Sequence, residues 1–165
     1  MSIPDAGLLL AGFVLGHSAW SVSDVRETLV PLAIIERQGN RELVRIEAQT
    51  QAEAVLKGKS LYPEWTKTSD AWAFAREGLM PDGDSKVDVF VIDFWTKGMS
   101  KPATVIQRFE PFARRGQFRI IGDPEIVLDG TIQVGDNVKQ AVLRLGEGIG
   151  QHPKAASLWK TWRGH

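Results

Sequence analysis

Five charged side chains sit inside stretches that otherwise read as strands: Arg45, Arg76, Glu77, Asp93 and Arg108. An arginine fork grips a carboxylate or phosphate bidentately, and a buried carboxylate beside one can act as a base or as an orienting group. Together the five define a candidate cleft for an anionic ligand on a sheet face. Asp93 is the most constrained of them. It closes the run 87–95, in which Val87, Val89 and Val91 share its face while Phe90, Ile92 and Phe94 point the other way. Both faces are apolar, so this is a central strand covered on both sides. A charge buried there without a partner is costly, which predicts pairing of Asp93 with Arg76 or Arg108. The competing expectation is a solvated sheet face laced with ion pairs, each contributing only about 0.2 to 1 kcal/mol.

Motif fragments that suggest other chemistry fail on spacing. Gly58-Lys59-Ser60 ends like a phosphate-binding loop, but the first glycine of such a loop falls on Glu53. Gly16-His17-Ser18-Ala19 begins like a nucleophile elbow, yet Trp20 occupies the closing glycine's place in a segment that reads as helix. Asp82, Asp84 and Asp88 resemble part of a calcium loop, with Lys86 and Val87 where an oxygen ligand and a glycine belong. Gly146-Glu147-Gly148-Ile149-Gly150 has Gln151 where a dinucleotide fingerprint needs glycine. His17, His152 and His165 are scattered along the chain, and no metal or cofactor is expected.

Six tryptophans carry more weight. Trp72 and Trp95 fall within strand patterns and belong to the core. Trp65 is expected in a loop beside Tyr62 and Pro63, while Trp159 and Trp162 lie on a lysine-flanked tail. Tryptophan and tyrosine anchor many protein interfaces, so Tyr62, Trp65, Trp159 and Trp162 are candidate contact residues. Docking of the tail on its own core is the alternative.

Length and composition bound the rest. A chain of 165 residues fits one domain, 1–165, with a core large enough to need no staples. Twenty basic residues balance twenty acidic ones, which argues against nucleic acid as a partner. There is no cysteine, so disulfides, thiolate catalysis and zinc–thiolate sites are excluded, and a reducing compartment fits. The uncharged stretch 6–23 follows Pro4 and Asp5 rather than a basic residue and is broken by Gly7, Gly12 and Gly16. It predicts a buried first helix in a cytoplasmic protein rather than a leader or a membrane span.

The elements that must position these residues follow from pattern. Runs 29–37 and 42–48 read as a hairpin turning at 38–41, with Pro31 on an edge or near a strand start. Thr50 and Glu53 form a capping box for a helix to about Ser60, and 61–69 reads as a loop. In 70–77 alanine alternates with large residues, leaving one face that something can approach closely. Residues 81–84 turn into the central strand. Further strands are expected at 104–109, 118–121 and 125–128, the last two parted by Gly122-Asp123-Pro124. Asp136 is the expected N-cap of a helix over 137–145, and Pro153 starts a final helix. Short connections imply antiparallel neighbours. The expected fold is a single α+β domain, with a mainly antiparallel sheet of about five to seven strands and N-terminal, middle and C-terminal helices packed on it.

With every catalytic motif failing while aromatics and mixed charge are plentiful, the leading expectation is a non-catalytic cytoplasmic module that binds another protein, of accessory, regulatory or immunity type. A small enzyme or anionic-ligand binder using the charged face is the second reading. A homo-oligomeric structural protein is the third.

Overall fold

A computed structural model of the protein describes residues 3–164 and shows a single α+β domain. Its helices are α1 (Asp5–Val22), α2 (Gln51–Ser60), α3 (Tyr62–Thr68), α4 (Phe112–Arg115), α5 (Asp136–Gly150) and α6 (Ala155–Arg163). The strands are β1 (Leu32–Arg37), β2 (Asn40–Arg45), β3 (Ala71–Asp82), β4 (Ser85–Thr96), β5 (Ala103–Glu110), β6 (Arg119–Leu128) and β7 (Thr131–Ile132). Among the described residues they form one seven-stranded sheet in the order β2-β1-β3-β4-β5-β6-β7, antiparallel at every pairing.

Each sheet face has its own core. On one face, Ile34, Ala71, Ala73, Ala75, Phe90, Ile92 and Phe94 pack against α1, behind which lie α5 and α6. The alternating alanines of β3 give α1 the close approach that the sequence pattern implies. Because α1 is covered by the sheet on one side and α5 on the other, it is apolar nearly all round. The crossing of α1 and α5 is tight enough that a Cβ on Gly12 would collide with the Leu145 carbonyl, and one on Gly148 with that of Leu9. On the other face Ala33, Ile35, Trp72, Phe74 and Trp95 pack beneath α2 and α3.

β4 is the central strand that its sequence requires, pairing Phe74 with Asp93 on one side and Asp93 with Thr104 on the other. Thr50 caps α2 as expected, its hydroxyl accepting from Glu53 N at 3.1 Å. Several expectations need correction. The segment 61–69 is not a loop but largely the helix α3, which Pro63 enters in its first turn, where its missing N–H costs nothing. Strands 118–121 and 125–128 are one strand, β6. Gly122, at φ 69°, lets residues 122–124 bulge opposite Gln107, whose Nε2 donates to the carbonyls of Arg108, Ile121 and Gly122 at 3.1 Å each. Gly135, not Asp136, is the N-cap of α5, which runs beyond 145 through the glycines to Gly150. No helix among the described residues is long and apolar enough to cross a membrane.

Candidate functional site

Asp93 lies on the face that carries α2 and α3, its side chain 13% exposed. Arg76 Nη1 donates to its Oδ2 at 2.9 Å, the Tyr62 hydroxyl to the same oxygen at 2.5 Å, and Thr104 Oγ1 to Oδ1 at 2.7 Å. Tyr62 reaches the carboxylate from α3, its ring 4.3 Å from that of Trp72. Burial above all, reinforced by the Asp93 charge and hydrogen bond, pushes the phenol well above its ordinary range. Tyr62 therefore stays a donor. Three donors, one of them cationic, satisfy Asp93 within the chain.

The other candidate cleft residues do not join this pair. Arg108 shares the face, at the level of Val89, and turns its guanidinium towards Asp82 at 4.0 Å. Glu77 points to the opposite face and accepts from Leu29 N at 2.5 Å. Burial raises its carboxyl, that hydrogen bond opposes the rise, and the nearby Asp88 adds to it. Arg45 lies exposed on the edge strand β2, on the α1 side, opposite Leu32. Adjacent residues of one strand cannot share a face, so Arg76 and Glu77 were bound to separate. The five charges thus make one satisfied pair and three separate groups.

The candidate contact aromatics are mostly core. Trp65 is 6% exposed, correcting the expectation of an exposed loop tryptophan, and Trp162 is 8% exposed, the docking of the tail on its own core that was set against a partner contact. Trp65 faces Trp72 and Phe74, and Trp162 stands edge-on to Phe118. Trp159 is half-buried against Trp162, and Tyr62 is committed to Asp93.

Two features escaped sequence reasoning. His17 Nδ1 and His152 Nε2 lie 3.0 Å apart, although 135 residues separate them. His152 Nδ1 accepts from the N–H groups of Lys154 and Ala155, so its proton is on Nε2 and points at His17 Nδ1. His17 is then protonated on Nε2, which is buried without a hydrogen-bond partner. Burial first, then His152 and Arg45, lower its pKa to about 4. With both rings committed to this bond, a metal would need His152 stripped of its proton; no group of three potential ligands occurs among the described residues.

The second feature is a corner where β6, β7 and α5 meet. Ile132 (52% exposed), Val134 (82%) and Leu143 (58%) stand out of the surface there. With Pro124 and Val142 they line an open groove of about 480 Å³. A second, deeper cavity of about 250 Å³ lies between α5, β6 and the start of α1 and shares Gln133 and Val138 with the groove. The signal for it was present in the sequence as apolar residues in 132–143, but residue type alone does not say which of them face outward.

Comparison of the chain with protein-family models, with curated proteins and with solved structures finds no match.

Proposed function

We propose that this chain is a non-catalytic, cytoplasmic protein-binding module of accessory or regulatory type, and that its contact surface is the groove between β6–β7 and α5. The observation carrying this reading is the outward display of Ile132, Val134 and Leu143 along one groove at the end of the sheet. Three large apolar side chains gathered at one place mark an interaction surface, whereas singly scattered ones do not. β7 is the last strand of the sheet, so one side of its backbone has no neighbouring strand among the described residues and is open to pairing. The groove rim is polar, with Asp123, Glu125 and Lys139, as interface rims are. A charged-cleft enzyme has less to stand on, because the candidate pair at the heart of that cleft, Arg76–Asp93, is satisfied internally. A chain without cysteine suits a reducing cytoplasm.

The test is affinity capture from the native cell with mass spectrometry, using the wild type beside a Val134→Glu, Leu143→Glu double variant. A stoichiometric partner held by the wild type and lost from the double variant supports the module. A small molecule retained equally by both, with no protein partner, overturns it.

A further inference from the structure

The deeper cavity beside the groove gives the partner a chemistry. We propose that it is an anchor pocket for one unbranched or γ-branched aliphatic side chain, carried on an extended peptide segment of the partner with basic residues flanking it. This rests on the groove being the contact surface, and it goes further by naming what enters. The cavity floor is aliphatic: Leu8, Ile126, Leu128, Val138 and Ala141. About 250 Å³ admits a leucine or methionine side chain and falls short of the usual range of drug-sized ligand sites, roughly 300 to 1,000 Å³.

Around the floor stand the amides of Gln133, Asn137 and Gln140. Gln133 Nε2 already donates to the Thr131 carbonyl at 2.9 Å, while each amide carries both a donor and an acceptor, the pair of groups that a peptide bond presents in reverse. Since Gln133 and Val138 line both cavities, a chain whose side chain fills the deeper one can continue along the outer groove past Ile132 and Val134.

Charge selects the flanks. The deeper cavity is lined by Asp5 and Arg144, 3.5 Å apart, and Arg144 is also engaged by Glu147 at 2.6 Å. Farther out Asp136 meets Lys139 at 3.9 Å, Asp123 meets Arg163 at 2.8 Å, and Glu125 adds another carboxylate. Among the described residues lining the two cavities, the carboxylates Asp5, Asp123 and Glu125 outnumber the cations Arg144 and Lys139, which leaves this rim negative. An acidic segment is repelled there and a basic one is drawn in.

The probe is the peptide acetyl-Lys-Ser-Leu-Ser-Lys-amide, titrated into the ¹⁵N-labelled full chain, with amide shifts read by NMR. The expected result is perturbation centred on Leu8, Ile126, Val138 and Ala141, at least tenfold weaker binding when alanine replaces the peptide's leucine, and a similar loss when glutamate replaces its lysines. Ala141→Phe, which fills the cavity, should abolish these shifts while the rest of the spectrum stays native. Equal affinity of the leucine and alanine peptides for the wild type overturns the proposal even if Ala141→Phe does not fold. So does hexanamide binding as tightly as the peptide, which makes the cavity a small-molecule site. If a captured partner loses affinity with Val134→Glu but not with Ala141→Phe, the anchor fails while the module reading stands.

Discussion

Tyr62 gives its phenolic hydrogen to Asp93 Oδ2 across 2.5 Å, tying the short helix α3 to the central strand of the sheet. The same oxygen takes Arg76, so one carboxylate joins a helix and two strands on a face otherwise held by aromatic packing. Removing the carboxylate leaves an arginine and a phenol without their partner in a largely buried place. Asp93→Ala should therefore lower stability by about 1 to 3 kcal/mol or more, and Tyr62→Phe by about 1 kcal/mol. Chemical denaturation checks both, and an unchanged Asp93→Ala midpoint removes the structural role assigned here.

The crossing of α1 and α5 depends on two glycines for its closeness rather than for any unusual backbone angle. Gly12→Ala and Gly148→Ala each drive a methyl into a carbonyl of the facing helix. Backbone cannot yield as a flexible side chain can, so each should cost about 3 kcal/mol or more, at the upper end of overpacking effects. Thermal unfolding of the pair against Gly146→Ala provides the control, since nothing lies within 4 Å of a Cβ there.

Acid should weaken the fold through the histidine pair. An unfolded His17 takes its proton near 6.5, whereas the folded one waits until about 4. A base with a lowered folded pKa contributes fully above the unfolded value, and the contribution is lost as pH falls from 6.5 towards 4. His152 is lowered by burial and acts in the same sense, while the raised carboxyl of Glu77 acts in the opposite one. Melting temperatures measured across this window should fall more steeply for the wild type than for His17→Phe. Parallel slopes would show that His17 does not titrate in this way.

How much of this was legible depends on whether the deciding contact is local. The central strand could be read because both of its faces are apolar within 87–95, and the need of Asp93 for a strand arginine followed from its place there. The continuity of β6 could not, since Gly122-Asp123-Pro124 is a turn signal and the amide that bridges the bulge belongs to Gln107 on another strand. Trp65 reads as a loop tryptophan until α3 turns it onto Trp72. The candidate cleft dissolved because strand alternation sets Glu77 and Arg45 on the face opposite Asp93. The pairing of His17 with His152 spans nearly the whole chain and leaves no mark on either neighbourhood. At the groove, Val134 and Leu143 look like core residues, and only the path of the chain around them turns them outward.

Substitution in the groove should separate binding from folding. Val134 and Leu143 are mostly exposed, so glutamate at either place should change stability by no more than about 0.5 kcal/mol. A charge buried beneath a docked partner, by contrast, goes unpaired and costs far more. Denaturation of the Val134→Glu, Leu143→Glu double variant should overlay the wild type.

The most direct measurement is titration calorimetry of the captured partner against the wild type, the Val134→Glu, Leu143→Glu double variant and Arg108→Ala, all shown to be folded. Docking in the groove predicts at least a hundredfold loss of affinity for the double variant and wild-type affinity for Arg108→Ala. Affinity lost only in Arg108→Ala, with the double variant binding normally, would contradict the groove and return the function to the charged sheet face.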